Sequence, residues 1–292
     1  MANLSAIVWL YRGQEDRFLK LVRDYLKATW GEVKKVSSAL SGFECAFSSV
    51  DEVFANVRME IEEVATQVTG GSEFLAAADE LSETYQAYST DRGELESGIA
   101  KFRKKYGDAD LATNAKQHAA RQAFDPIAER LRGMVKQVDL IVKIAGRAGD
   151  LARDWLKARE KALDDLQDHF IFDRRRLGRL LKELDAARKE AVDQLRNATY
   201  FHRQAAWLQD RFPEARLADV PGLVKLVSRA DIKAADWSLT PGRYVGVAPA
   251  EGDADFDFEQ TMHDIHMELT ELNQEATELV ANIQRNFQDL GL

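Results

Sequence analysis

From Ile127 to Trp155 the residues Ile127, Leu131, Met134, Val138, Ile141, Ala145, Ala148, Ala152 and Trp155 recur at alternating steps of four and three. A strand would scatter these positions over both faces. A helix gathers them into one apolar stripe, four heptads long. Ala145, Ala148 and Ala152 are small enough for a partner helix to come close. A second series, Leu177, Leu181, Leu184, Ala191, Leu195 and Ala198, continues the pattern. A third runs through Phe258, Met262, Ile265, Leu269, Leu272, Ala276, Leu279 and Ile283. These stripes predict an all-α protein: an elongated helical bundle with long coiled-coil-like helices and a C-terminal acidic helix.

The remaining segments fit that class. Residues 4–30 read as an amphipathic helix through Ile7, Leu10, Phe18, Leu21, Val22 and Leu26, weakened at Gly13 and stopped at Gly31. Val53, Val57, Ile61, Val64 and Val68 mark another, ended by Gly70-Gly71, with Ser72 placed as the next N-cap. The helix after it carries Phe74, Ala78, Leu81, Tyr85 and Tyr88, and fades near Asp91-Arg92-Gly93. Asp125-Pro126 reads as an N-cap followed by proline at the first helical position. The two middle series are expected to form an antiparallel hairpin with its tip near 168–178. Four segments follow: 1–69, helical; 70–211, a long-helix bundle or hairpin; 212–250, an irregular linker; and 251–292, the acidic heptad helix.

Charge narrows the partners. The chain of 292 residues carries a formal charge of −9, and residues 251–292 hold eleven acids against Arg285 alone. That is −10 for the tail and +1 for the remainder. A near-neutral body with an acidic tail argues against DNA binding as the dominant activity of this chain. Like charges sit at helical-neighbour spacing in the tail (Asp264 with Glu268, Glu271 with Glu275, Glu275 with Glu278), each pair costing about 0.2–0.5 kcal/mol. Basic residues packed alongside would offset this, either from Arg174-Arg175-Arg176 and Arg179 or from another chain. The single cysteine, Cys45, excludes an internal disulfide framework, fits a reducing cytoplasm, and is expected to be a small buried residue. No apolar run reaches membrane-spanning length and Met1 opens no signal peptide, so a soluble cytoplasmic protein is expected.

One run stands apart from the helices: Trp237-Ser238-Leu239-Thr240-Pro241-Gly242-Arg243-Tyr244-Val245-Gly246-Val247. Pro241 followed by Gly242 predicts a type II turn with positive φ at the glycine. Tyr244-Val245 is a β-favouring pair. A rigid bend with an arginine and an aromatic suits docking, and an ordinary interhelical turn is the plain alternative. The run Leu-Thr-Pro-Gly-Arg-Tyr-Val-Gly resembles the signature near the C-terminus of the modification (adenine-N6 DNA methyltransferase) subunit of type I restriction–modification systems. Asp219-Val220-Pro221-Gly222-Leu223-Val224-Lys225, the acidic run 253–259, and the opening Leu4-Ser5-Ala6-Ile7-Val8-Trp9-Leu10-Tyr11-Arg12-Gly13 resemble the same family. The likeness covers roughly residues 1–27 and 200–292 and does not extend over the helical middle.

The resemblance implies the C-terminal assembly region of such a subunit, non-catalytic in itself, docking on the DNA-specificity subunit. The restriction subunit and DNA are further candidates within that assembly, and no membrane is involved. S-adenosylmethionine would belong to a catalytic domain outside this chain. No glycine-rich strand-to-helix turn occurs here, and none of the five prolines (126, 213, 221, 241, 249) adjoins another, as a catalytic Asp/Asn-Pro-Pro-aromatic motif requires. The residues expected to bind the partner are Trp237, Arg243, Tyr244, Phe258, Met262, Ile265, Leu269 and Leu272. No catalytic, cofactor or metal residue is expected. His263 and His266 share a helix face, but His-x-x-His lacks the usual zinc spacing and no third ligand is indicated. His118, His169 and His202 show no pattern. Arg174–Arg179 reads as a solvated face or an internal partner for the tail, ahead of a phosphate contact. The competing reading is a helical scaffold that pairs its heptads between identical chains.

Overall fold

The computed structural model describes residues 2–63, 71–162 and 174–247, together with helical positions between 262 and 285. Its helices are α1 (Ala2–Tyr11), α2 (Glu15–Glu63), α3 (Ser72–Tyr106), α4 (Asn114–Ala162), α5 (Arg174–Arg211) and α6 (Arg229–Ala234), followed by a 3₁₀ turn at Pro241–Arg243. The protein is all-α, with long helices packed on one another and no strand among the described residues. The expected hairpin tip at 168–178, and Val64 and Val68, fall wholly or partly outside the described residues.

Two compact units emerge: Met1–Leu26, Leu111–Ala119 and Arg203–Leu292 form one, Lys27–Asp110 and Ala120–His202 the other. Helices α2, α4 and α5 contribute residues to both.

The second unit is an up-down-up-down four-helix bundle, and its pairings fix the topology. Along α2 and α3, Phe54 meets Phe74, Phe47 stacks on Tyr85, Phe43 meets Tyr88 and Trp30 meets Phe102, so the two helices run antiparallel. Along α3 and α4, Arg147 pairs with Glu80, Gln137 with Asp91, Arg130 with Glu94, and Phe124 meets Phe102, again antiparallel. Arg188 reaches Asp139 at 2.8 Å and His202 reaches Asp125 at 2.9 Å, aligning α5 against α4. Gln194 donates to the Glu32 carbonyl at 3.0 Å and closes the ring between α5 and α2. Short connections between antiparallel neighbours are what four helices of this length need to share one core.

Every residue of the 127–155 stripe is buried, as are Leu177, Leu184, Ala191, Leu195 and Ala198 of α5. They join one core with Val36, Leu40, Phe43, Val50 and Val57 of α2 and Phe74, Leu81, Tyr88 and Leu95 of α3. Two glycines mark close approaches. A Cβ at Gly149 of α4 would lie 2.6 Å from Leu181 Cδ1 of α5, and one at Gly71 would meet Ile61.

Polar groups also reach this interior. Arg92 is buried on α3, donating to Glu44 at 3.2 Å and pairing with Glu96 at 2.6 Å, while the Tyr88 hydroxyl donates to Glu44 at 3.0 Å. Burial and the Glu44 carboxylate together push the Tyr88 phenol far up. Arg159 and Glu60, both buried, pair at 2.5 Å; burial raises the Glu60 carboxyl although Arg159 opposes it. Burial would raise Glu32 too, but hydrogen bonds from Lys35 and Gln194 outweigh it and hold that carboxyl low.

Several local expectations are corrected. Gly31 does not stop a helix: α2 runs through it to Glu63, because Val33, Val36 and Leu40 bury the continuing face. Helix α3 passes through Asp91-Arg92-Gly93 to Tyr106, held by Arg92 and Leu95 in the core. Its N-cap is Gly71, and Ser72 is the first helical residue. Pro126 lies inside α4, which begins at Asn114, so Asp125 is no N-cap but the acceptor for His202. Cys45 is exposed on α2, since Phe43 and Phe47 occupy the inward positions on either side of it.

The first unit packs α1, the start of α2 and the end of α5. Phe18 meets Phe212 edge-on at 6.3 Å, Asn3 donates to Gln204 at 2.6 Å, and Gln117 donates to the carbonyls of Leu19 and Leu111. Gly13, at φ +69, makes the break between α1 and α2.

Two variants separate propensity from packing. At Gly146 a Cβ meets nothing within 4 Å, so Gly146→Ala is expected to raise stability by about 0.5–1 kcal/mol. Gly149→Val crowds Leu181 and is expected to cost about 1–3 kcal/mol. Equal denaturation midpoints for the two would contradict the close α4–α5 approach. A pH series tests His202. Burial lowers its pKa and outweighs Asp125, whose charge and hydrogen bond favour the protonated ring. The folded state therefore resists the proton, and stability falls as pH drops from about 6.5, the ordinary imidazole value, toward the folded one. Urea unfolding at pH 7.5 and 5.5 should show a larger loss in the wild type than in His202→Gln.

Candidate interaction segment

The run 219–247 builds its shape from its own hydrogen bonds. Pro221 and Gly222 form a turn in which the Leu223 amide donates to the Val220 carbonyl at 3.0 Å, with Gly222 at φ +76. Proline at the second position and left-handed glycine at the third are the type II pattern. That pattern was expected at Pro241-Gly242, and there it does not occur. Pro241–Arg243 is a 3₁₀ turn in which Tyr244 and Val245 both donate to the Pro241 carbonyl, and Gly242 keeps a negative φ. Successive helical bonds hold the chain in the right-handed region, so the glycine's freedom goes unused. Gly246, at φ +71, supplies the left-handed residue. Tyr244-Val245 forms no strand; the Val245 carbonyl accepts a single bond from the Gly222 amide at 2.7 Å.

Upstream, α6 opens with a capping box. Ser228 accepts from the Asp231 amide at 3.2 Å, and Asp231 accepts from the Ser228 amide at 2.8 Å. The Ser228 hydroxyl, donating to the same carboxylate at 2.7 Å, and then the Ser228 amide hold the Asp231 carboxyl below its ordinary value. The helix ends with Trp237 N–H donating to the Ile232 carbonyl at 2.9 Å. Asp236 and Trp237 both take left-handed backbone, φ 54 and 59, where neither is glycine. Each such residue costs about 1–2 kcal/mol, and the cap bonds hold them there.

The eight expected partner residues fare differently. Trp237 is 55 % exposed, with the Arg229 guanidinium 5.8 Å from its ring centroid. Leu239, which the expectation omitted, is more exposed still at 78 %. Tyr244 is half-buried, and its hydroxyl donates to the Ser238 carbonyl, so it braces the loop beneath these two side chains. Arg243 is exposed. Phe258 lies outside the described residues. Met262, Ile265 and Leu269 are exposed helical positions and Leu272 is half-buried; Leu279, Val280 and Ile283 continue the exposed set. The structure brings Trp237, Arg243 and Tyr244 into one folded segment.

Among the described residues no group of three or more His, Cys, Asp or Glu could hold a metal ion, and no helix is long and apolar enough to cross a membrane. His263 lies outside them, and His266 is exposed. Sequence reasoning missed His202, whose partner Asp125 is 77 positions away; nothing in the linear pattern marks the pair. The fold places the chain among all-α helical-bundle proteins. Comparison with protein-family models, with curated proteins and with solved structures finds no match.

A pair of glycine variants tests the loop. Gly246→Ala forces an alanine into left-handed backbone and is expected to cost the segment about 1 kcal/mol, read as faster amide exchange at Gly222. Gly242→Ala should leave that exchange unchanged.

Proposed function

We propose that this chain is an assembly module that docks on a partner protein through the 228–247 loop and the apolar seam of its C-terminal helix. One observation carries the reading. The heptad stripes of α4 and α5 are buried, whereas Met262, Ile265, Leu269, Leu279 and Ile283, stepping with the same period, are exposed. Residues of that kind at that spacing are anchors for another helix. The tail charge of −10 selects a partner with basic residues beside its own apolar stripe, and it works against pairing of identical tails. Trp237 and Leu239, held outward on a hydrogen-bonded loop, suit an anchor that loses little freedom on binding.

The resemblance of residues 237–247 and their flanks to type I modification subunits supports naming the partner: the specificity subunit of such a system. The chain then acts as the non-catalytic assembly region of an adenine-N6 DNA methyltransferase subunit, with methyl transfer from S-adenosylmethionine performed elsewhere in the complex.

Co-purification with the cognate specificity subunit tests this. Leu269→Asp with Ile265→Asp should abolish the complex while leaving the helical circular dichroism intact. Trp237→Ala should weaken it at least tenfold. A wild-type chain that forms no complex, or that runs as a stable homo-oligomer by light scattering, would overturn the proposal.

A further inference from the structure

The end of α3 carries Lys101, Arg103, Lys104 and Lys105, and no carboxylate occurs between Glu96 and Asp108. All four cations are exposed. Arg103, Lys104 and Lys105 occupy the last helical turn, where the helix dipole favours positive charge. The dipole does not account for what faces them. Lys34 of α2 projects to the same place, its ammonium 5.6 Å from the centroid of the half-buried Trp30 ring. Between the two helices lies an open groove of about 940 Å³, lined among others by Trp30, Lys34, Ser37, Arg103 and Lys104. Of its two carboxylates, Glu96 is already engaged by Arg92 and by the Ser37 hydroxyl at 3.1 Å; Asp108 is the other. A smaller recess of about 260 Å³ on the other flank of α3 is mainly apolar, walled by Phe102, Tyr106, Pro126 and Ile127, with Lys101, Lys105 and the Glu94-paired Arg130 beside them. Cations therefore line both sides of one helix end.

We propose that this end of the bundle binds phosphate groups of a nucleic acid, with Lys34, Arg103 and Lys104 in the groove and Lys101 and Lys105 across the helix. Exposed cations on both flanks of one helix end match an extended chain of phosphates better than one compact anion. Arg103 supplies a guanidinium fork suited to phosphate oxygens, and the lysines supply point charges. The net charge of −9 does not forbid this: at 0.1 M salt, charges farther apart than about 10 Å are largely screened, so the local cluster governs. Such contacts carry no sequence information, so the site would hold and orient nucleic acid without choosing it.

Fluorescence anisotropy of the full chain with a labelled 30-base-pair duplex, between 50 and 200 mM salt, tests the proposal without any partner subunit. Its failure is thus separable from failure of the docking reading. Arg103→Glu with Lys104→Glu should weaken binding at least tenfold at 50 mM salt and flatten the log–log salt slope by about 2, at roughly 0.9 per phosphate contact. The control Arg132→Glu with Lys157→Glu, on exposed cations of α4, should leave both readings unchanged. An ATP titration in the same assay separates the phosphate sources. Displacement of duplex by millimolar ATP would place a nucleotide phosphate in the groove, and no displacement would assign it to the nucleic-acid backbone. Identical binding by the wild type and the Arg103/Lys104 variant would overturn the site. So would capture of an acidic peptide with no binding of either phosphate probe.

Discussion

The continuous burial of the 127–155 stripe is the constraint on which the four-helix unit depends. Once α4 is one long helix with every stripe position inward, three further helices must cover it, and antiparallel neighbours with short connections do so with the least chain. The small residues set how closely they come: Ala145 and Ala148 are fully buried, and Gly149 leaves room for Leu181. Long aromatic side chains fill the other side, where Phe43, Phe47, Phe54, Phe74, Tyr85 and Tyr88 interleave between α2 and α3. Dense packing of this kind is what outweighs weak local signals such as Gly31 and Gly93 in mid-helix, each a loss of about 1 kcal/mol against alanine.

Buried polar residues add register to that core. Besides Glu96 on its own helix, Arg92 can reach Glu44 and Ser37 of α2 only when α2 and α3 align at one setting; a slip of one turn would separate it from Glu44. Arg159 with Glu60 and His202 with Asp125 constrain other pairs of helices in the same way. For Arg159 and Glu60, buried on both sides, the pair brings little net stability, but leaving one partner behind costs about 3–5 kcal/mol, so it disfavours a misaligned bundle more than it strengthens the aligned one.

The exposed segments follow the opposite logic. In the 219–247 run the chain bears the cost of left-handed Asp236 and Trp237 through caps and turns, and the outcome is an ordered loop with Trp237 and Leu239 in solvent. The tail has the period of a core helix with exposed residues along it. In the bundle the apolar stripe of α4 is covered within the chain. In these two segments apolar side chains point outward, and the proposed partner is what would cover them.

Periodicity was enough, by itself, to determine the all-α class and the inward faces of α4 and α5, because a step of four and three admits one regular backbone and one buried side. Proline and glycine marked 237–247 as a break between helical blocks, and the structure folds Pro241–Arg243 within it as a 3₁₀ turn. Helix ends were less legible. Gly31, Asp91–Gly93 and Asp125-Pro126 all carry local stop or start chemistry, and in each case burial of the flanking apolar residues carried the helix through. The two proline–glycine pairs read alike in sequence, yet only Pro221-Gly222 takes the type II form, since the bonds that follow Pro241 hold Gly242 in a helical turn. Cys45 turned outward because Phe43 and Phe47, four residues apart on either side of it, take the buried face. Pairings such as Glu44 with Arg92, Asp125 with His202, and Lys34 with Arg103 and Lys104 were decided by tertiary structure alone. They join residues far apart in the chain, and only the alignment of packed helices brings them within reach.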